Sequence, residues 1–489
     1  MKLKLKELSL GAGRPVAFLN EKNAKEMNVH VGERIELIFN GKKLITIVDI
    51  VEGFVAKGEI SLSNEIIDYL KIKSGELVSV NLALEPASSR LIAKKLNGKS
   101  LSKSEIYCVV RDMANNALTE AEIAYFVSGV YEHGMSLNET INLTEAIYKT
   151  GETIKWHTKD IADKHSIGGV PGNRTTPIIV SICAAAGVVM PKTSSRAITT
   201  SAGTADTMET MANVELSVSK LKEIVRQTGA CLAWGGSLGL APVDDKLIRV
   251  ERLLNLDPES QLIASILAKK LAVGSKYVLI DIPYGANAKV TREKAEKLKA
   301  KFIKIGNHFN LLIRVVLTDG SQPIGNGVGP VLEMLDVLRV LKRNNSPADL
   351  EEKSVFLAGE ILEMVGKAEK GRGAIKAKEI LESGKAMQKF SEIISAQGKN
   401  AEPLTPARFH FDIISGKSGR IFEINNKLIN LIGRILGCPA DKPAGVYLYK
   451  HVLDSVKKGE IIMTLYSESQ RKLKEAVSFC KNSKAIVVK

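Results

Sequence analysis

Lys164-His165-Ser166-Ile167-Gly168-Gly169-Val170-Pro171-Gly172-Asn173-Arg174-Thr175-Thr176 opens the stretch on which the reading of this chain turns. Ser194-Ser195-Arg196-Ala197-Ile198-Thr199-Thr200-Ser201-Ala202-Gly203-Thr204-Ala205-Asp206-Thr207-Met208-Glu209 closes it. The apolar, alanine-rich run between them, Ile178 to Val189, reads as a buried helix running into a strand. Each flank is a loop rich in Gly, Ser and Thr that carries a cation and leads into a helix. Glycines let the backbone come close to an anion, free N–H groups at a helix start point at its oxygens, and hydroxyls with a Lys or Arg complete the cage. One such loop is also what an ordinary surface turn looks like. Two of them, closely spaced and both cationic, point to two anionic groups or one large one.

Outward from that stretch, strands alternate with helices. Tyr277-Val278-Leu279-Ile280-Asp281-Ile282 reads as a buried strand, Thr291 to Ile305 as a helix and Leu311 to Leu317 as another strand, which together imply a largely parallel sheet. Asp319 to Pro330 is a further glycine-dense loop before a helix, a weak signal alone. Residues from about Ala87 to Thr153 are helical in pattern, with capping signals at Ser102/Glu105 and Thr119/Glu122 and a further helix start at Leu137. Helical character returns from Asp244 to Ala272, so the helical unit is discontinuous, and a ligand is expected in the cleft between it and the α/β unit. The first 84 residues carry short alternating runs divided by turns, the pattern of a small β-barrel. Two phrases within them, Val29-His30-Val31-Gly32-Glu33 and Ile72-Lys73-Ser74-Gly75-Glu76, each follow a short helical run and suggest an internal duplication. From about Pro406, short strand candidates at Phe409–Ile413, Gly419–Ile424 and Ile461–Tyr466 mark a small α+β domain.

The fold class expected is therefore multidomain α/β. It comprises an N-terminal barrel over 1–84, an α-helical domain over 85–155 plus about 244–273, an α/β phosphate-binding domain over 156–243 plus about 274–405, and a C-terminal α+β domain over 406–489. At 489 residues the chain is too long for one core. A net charge of +15 fits anionic substrates, yet the lysines are scattered along the whole chain, which is equally the pattern of a solvated surface. Aromatic residues make up only 5%, too few for a single-strand nucleic-acid platform. The five cysteines are far apart and form no CxxC or Cys/His cluster, so neither a zinc site nor a disulfide framework is indicated, and Cys183 and Cys231 read as core. No apolar run reaches about 18 residues, and a cytoplasmic protein without nucleic-acid or membrane partners is expected.

Four motifs in order resemble the nucleoside phosphorylase II family. They are Lys164 to Val170, Ser194 to Glu209, the segment Ala264-Ser265-Ile266-Leu267-Ala268-Lys269-Lys270, and Asp319 to Glu333. Ala386 to Gly398 resembles a further family segment, and the similarity runs from about residue 85 to the C-terminus. The barrel resembles a double-psi β-barrel and the extra domain of the archaeal members. The resemblance implies a phosphorolytic pentosyltransferase assembled as a homodimer or higher homo-oligomer, with inorganic phosphate as co-substrate and no other cofactor or metal.

Within the family two features favour the AMP-cleaving archaeal branch. The first motif is one residue longer than in bacterial thymidine phosphorylases, and the second reads Ser-Ser-Arg-Ala-Ile-Thr. The arginine with which thymidine phosphorylases read their base falls on Val250, with Arg249 and Arg252 out of register. By resemblance, inorganic phosphate is held by Lys164, Ser166, Thr176 and the backbone at Gly168 and Gly169. The nucleotide meets Gly169, Ser195, Arg196, Ala197, Ile198, Thr199, Thr200 and Thr204, with Ser265 and Lys289 on the facing wall. Arg196 is the expected partner of the nucleotide phosphate, and His165 orients ribose or phosphate or is structural. Asp257 is the proton donor, although an Asp before Pro258 is also a good helix cap. Products expected from AMP are adenine and ribose 1,5-bisphosphate, with CMP and UMP as further candidate substrates. A pyrimidine-nucleoside phosphorylase, an anthranilate-type phosphoribosyltransferase and a non-enzymatic nucleotide sensor are the alternatives.

Overall fold

The structure is a computed structural model and describes residues 1–158, 160–197, 200–400 and 402–489. The chain divides into two units, Met1–Thr150 with Pro242–Ser265, and Gly151–Ala241 with Ile266–Lys489. The division falls inside the helix Glu259–Val273, after Ser265.

In the first unit six strands close a barrel, with neighbours in the order Lys2–Leu5, Glu59–Leu62, Val16–Asn20, Lys42–Val51, Arg34–Phe39 and Leu77–Leu82. Alternation drives it: along Arg34–Phe39 every second side chain is buried, and Leu3, Leu5, Ile35, Leu37, Val78 and Val80 fill the interior. The duplicated phrases fold alike. The helices Glu21–Met27 and Asn64–Leu70 both end on a left-handed residue, Asn28 and Lys71. In the turns that follow, Glu33 accepts from the His30 N–H at 2.8 Å and Glu76 from the Lys73 N–H at 2.6 Å.

Four helices follow: Ser88–Leu96, Lys103–Ala114, Glu120–His133 and Leu137–Lys149. Ser102/Glu105, Thr119/Glu122 and Ser136/Glu139 each form a complete capping box, which satisfies N–H groups that a helix start leaves open. The Glu120–His133 helix lies close against Ser88–Leu96 because Gly129 has no side chain; a Cβ there would meet the Leu96 Cα at 3.1 Å. Arg34 of the barrel ion-pairs with Glu122 of the bundle and donates to the Ala117 carbonyl at 2.7 Å. In the helix Pro242–Leu254, Val250 is buried in the core, whereas Arg249 donates to the Gly13 carbonyl at 2.9 Å.

In the second unit a parallel sheet runs Leu312–Asp319, Tyr277–Tyr284, Ala162–Ser166. An isolated parallel bridge, Ile161 to Val189, leads from it toward the parallel pair Met190–Ser194 and Ala230–Trp234. The Thr175–Ala185 helix is buried over nearly its whole length among Val337, Leu357, Leu381 and Phe390, which explains its apolar, one-textured sequence. Cys183 and Cys231 are both fully buried, and burial pushes their thiols well up, that of Cys231 to about 12.

The C-terminal part of this unit pairs Gly327–Val328, Gly445–Leu448, Ile461–Ser467 and Phe409–Ile414 in an antiparallel sheet, covered by the helices Asn426–Leu436 and Gln470–Asn482. Asn426 braces two loops of the α/β part, donating to the carbonyls of Gly320 at 2.8 Å and Asn287 at 3.1 Å. No helix among the described residues is long and apolar enough to cross a membrane.

Candidate active site

Strand Ala162–Ser166 delivers Lys164, His165 and Ser166 to the C-terminal edge of the parallel sheet, the edge at which open α/β sheets bind ligands. The chain then turns on Gly168 and Gly169, both left-handed with φ of 85° and 92°, a conformation that side-chain-bearing residues avoid. Lys289 is packed on this turn, its Cβ 3.1 Å from where a Gly169 Cβ would stand. Gly172 touches the Ile324 carbonyl, and the Ile324 N–H donates to Pro171 at 3.1 Å, so the Asp319–Pro330 loop buttresses the first one. The loop ends on Arg174, which leads into the Thr175–Ala185 helix without a side-chain cap. Thr176 is buried in the first turn of that helix, and Thr175 accepts a hydrogen bond from Lys164 Nζ at 3.0 Å.

Charge is the main feature beneath this loop. Lys164, Lys192, Lys270, Lys353 and Arg174 are all buried, against the buried carboxylates Asp163, Asp281 and Glu333. Asp163 is shared by Lys270 at 2.7 Å and Lys192 at 3.6 Å. Asp281 pairs with Lys353 at 3.3 Å and accepts from Thr318 at 2.6 Å. The remaining cation is Lys164, and charge left uncompensated in a protein interior is costly. Burial pushes the Lys164 ammonium down to about 8 and the Lys270 ammonium to about 7, more than Asp281 and Asp163 respectively can restore. Burial also pushes the half-buried His165 imidazole well down, helped by Lys270 and Lys192, so the ring is neutral at neutral pH. A bound anion would relieve this excess of positive charge.

The second loop leaves strand Met190–Ser194 and returns at the short helix Thr204–Met208. Its shape is set by Asp206, whose Oδ2 accepts from the Ala197 N–H at 2.7 Å and the Gly203 N–H at 2.8 Å. Gly203 is pressed on the Ser195 carbonyl, leaving no space for a side chain. Asn430 holds the far side by accepting from the Ser201 N–H at 2.9 Å. Ser195 is exposed, and Arg196, Ala197, Thr200 and Thr204 are half-buried. Ile198 and Thr199 lie outside the described residues.

The Arg196 guanidinium is engaged by carboxylates of its own stretch. It forks onto Glu209 at 2.8 and 2.9 Å, pairs with Glu215 at 2.9 Å and stacks on Trp234. Arg196, with Lys442, pulls the Glu209 carboxyl down to about 2. Its side chain ties the loop to carboxylates of the same stretch.

Asp257 and Ser265 belong to the first unit. Asp257 is exposed between the helices Pro242–Leu254 and Glu259–Val273, after the left-handed Asn255, and Ser265 is half-buried on the second helix. The residue that sequence reasoning quoted without assigning a role is Arg174. Its Nε donates to Glu333 at 2.6 Å, and its terminal nitrogens donate to Thr204 Oγ1 at 2.7 Å and the Ala202 carbonyl at 2.8 Å. The signal available was its position, a second cation in a loop that already contains Lys164, one residue before a helix of otherwise apolar texture.

Residues 89–151 match the glycosyl transferase family, helical bundle domain, and 158–387 the glycosyl transferase family, a/b domain. Residues 421–487 match the pyrimidine nucleoside phosphorylase C-terminal domain. The AMP phosphorylase of Pyrococcus furiosus is 42% identical over 100% of this chain and 98% of its own length. That of Thermococcus kodakarensis is 42% identical over 99% and 97%. The chain belongs to the AMP phosphorylase family. AMP phosphorylase 1 of Archaeoglobus fulgidus is 41% identical over 98% of this chain and 95% of its own. In these full-length alignments the barrel is included, so the family shares it. Anthranilate phosphoribosyltransferase from Thermus thermophilus superimposes with a TM-score of 0.52 over 63% of this chain and 98% of its own at 17% identity, a likeness of fold alone.

Asp206 gives a direct check on how the second loop is held. Asp206→Ala leaves the Ala197 and Gly203 N–H groups without their acceptor, at about 1–3 kcal/mol for each group left unsatisfied. Amide hydrogen exchange at these two positions is expected to accelerate by at least tenfold while the 277–284 strand stays protected. Unchanged exchange would show that the loop is held by other means.

Proposed function

We propose that this protein catalyses the reversible phosphorolysis of AMP, giving adenine and ribose 1,5-bisphosphate. The observation that carries the reading is the full-length similarity to AMP phosphorylases, in a chain whose two Gly-rich loops flank an excess of buried positive charge. Two anions are called for by the chemistry, the attacking phosphate and the phosphate already on the nucleotide.

In this reading inorganic phosphate occupies the 164–176 loop, held by Lys164, Ser166, Thr176 and the N–H groups at Gly168 and Gly169. The nucleotide is held by the 195–204 loop, with Thr200 and Thr204 supplying hydroxyls and Lys289 and Ser265 further contacts. Arg196 shapes that loop through Glu209 and Glu215. A phosphate oxygen forms the new bond to C1′ as the bond from C1′ to the base nitrogen breaks, through a transition state with positive charge on the sugar. The base leaves with the electron pair and takes a proton from Asp257, the proposed general acid. Catalysis rests on positioning and on electrostatic stabilisation. Neutral His165 can orient a ribose hydroxyl or phosphate oxygen without adding charge. No cofactor besides phosphate is needed. A homodimer or higher homo-oligomer, a cytoplasmic setting and a double-psi class for the barrel complete the proposal; the parallel pairing of 16–20 with 42–51 supports the last.

Substrate choice is tested by offering AMP, CMP, UMP and thymidine at equal concentration with phosphate. AMP is expected to be cleaved fastest, because Val250 is buried where a pyrimidine-reading arginine would stand and Arg249 is turned to the barrel. Cleavage of thymidine without cleavage of AMP would place the protein with the pyrimidine enzymes. Consumption of a pyrophosphorylated sugar would instead support a phosphoribosyltransferase.

A further inference from the structure

We propose that Arg174 is a positioning residue that ties the phosphate loop to the nucleotide loop and fixes the Thr204 hydroxyl as a hydrogen-bond donor toward the nucleotide's 5′-phosphate. The inference rests on the phosphorolysis reading above and adds to it the residue that sets the preference for a phosphorylated substrate.

A guanidinium carries five N–H donors in a rigid plane and accepts nothing. Arg174 uses that fork on three partners from two parts of the chain: Glu333 at 2.6 Å, and in the second loop the Ala202 carbonyl at 2.8 Å and Thr204 Oγ1 at 2.7 Å. Glu333 is itself fixed, accepting from the Gly329 N–H at 3.2 Å and from the Thr207 hydroxyl at 3.4 Å. The orientation of the plane is thus determined by the buried ion pair, and that of Thr204 by the plane. A threonine hydroxyl has one proton and two lone pairs. With a lone pair of Thr204 engaged by a group that can only donate, its proton is left to be given elsewhere. Thr204 is half-buried, whereas Arg174 and Glu333 are buried, so the hydroxyl is the member of this chain of contacts that an arriving ligand can reach. An O–H whose oxygen already accepts from a guanidinium selects for an acceptor, and a phosphate oxygen is the strongest acceptor an AMP-like ligand carries.

The test uses the full-length protein and compares AMP with adenosine, which lacks the 5′-phosphate, at saturating inorganic phosphate. Arg174→Lys keeps a cation for Glu333 but cannot span three partners. It is expected to lower kcat/KM for AMP by about 10–100-fold, the factor that corresponds to about 1.4–3 kcal/mol, and to change adenosine by less than about threefold. Thr204→Val is expected to do the same and Thr204→Ser to retain the AMP preference. In the double variant Arg174→Lys/Thr204→Val the losses should not add, because both act through one hydroxyl. Equal losses on AMP and adenosine in Arg174→Lys would make Arg174 a structural support only and overturn the proposal, as would additive losses in the double variant. Equal behaviour of Thr204→Val and Thr204→Ser would overturn it even where Arg174→Lys fails to fold. A wild-type protein that does not cleave AMP with phosphate would remove the underlying reading itself, a result visible before any variant is made.

Discussion

Replacing Asp257 with asparagine is expected to lower turnover on AMP by about 10²–10⁴-fold, the range general acid catalysis supplies, with little change in the KM for AMP. The adenine ring is a poor leaving group unless its developing negative charge is met by a proton. Asparagine has the same shape and can donate a hydrogen bond, yet it cannot transfer a proton. Asp257 is exposed, so the substitution leaves no hole in the core, and unfolding temperature and circular dichroism are expected to stay at their wild-type values. The loss should be smallest for substrates with a more acidic leaving base. Unchanged turnover would remove Asp257 as the acid and leave it as the residue that caps the helix after Pro258.

Lys164→Met is the second large effect, and it runs in opposite directions for activity and stability. Lys164 is fully buried and its ammonium is pushed down to about 8 from an ordinary value of 10.5, first by burial and then by neighbouring cations including Lys353 and Arg174, with Asp281 only partly offsetting them. A lysine whose pKa is lower in the folded than in the unfolded protein opposes folding while it is charged. That cost is present in full below about pH 8 and fades as pH rises through 8 toward 10.5. The difference corresponds to roughly 3 kcal/mol at most. Methionine keeps the stem and removes the charge. The variant is thus expected to melt several degrees higher than wild type at pH 7 without phosphate, with the gap closing above pH 9. It should lose nearly all phosphorolysis. Phosphate should raise the melting temperature of the wild type and not of the variant, since a ligand stabilises only a state that binds it. In wild type, kcat/KM for phosphate should fall above about pH 8 as the free-enzyme lysine loses its proton, while kcat at saturating phosphate holds to higher pH. A variant that melts lower at pH 7, or is still stabilised by phosphate, would contradict the role given to Lys164.

Both predictions concern residues whose surroundings are only partly legible in the sequence. The two glycine loops were visible because their signal is local, being turn residues, hydroxyls and a cation within a dozen positions. So were the helices that begin at Ser102 and Thr119, where a capping pair three residues apart carries its own meaning. The strand Ala162–Ser166 was not. Its Asp163 and Lys164 look like surface residues, and Asp163 is buried because Lys270 and Lys192 lie across from it. Compensation from 107 residues away leaves no mark on the strand itself.

Arg174 shows the same limit, since its buried partner Glu333 is 159 residues on. Arg196 is the instructive contrast. The carboxylates that occupy it, Asp206, Glu209 and Glu215, follow within the next 19 residues. Read loop by loop its cation stands alone, whereas the whole stretch carries its own counter-ions. The Gln470–Asn482 helix and the four-residue strand Lys2–Leu5 were unread for a plainer reason. The strand is too short to show a period, and the helix is so polar that only Leu473 and Ala476 are buried.

The central claim is that two phosphates meet one sugar at this site, one already on the nucleotide and one arriving from solution. Phosphorus NMR of the purified protein with AMP and inorganic phosphate tests that directly. The account predicts that the inorganic phosphate and AMP signals fall together while two new signals of equal intensity appear, one for a sugar 1-phosphate and one for a sugar 5-phosphate, with free adenine released in the same amount. Adenine release that continues unchanged without phosphate, or AMP that stays intact with it, would contradict the account.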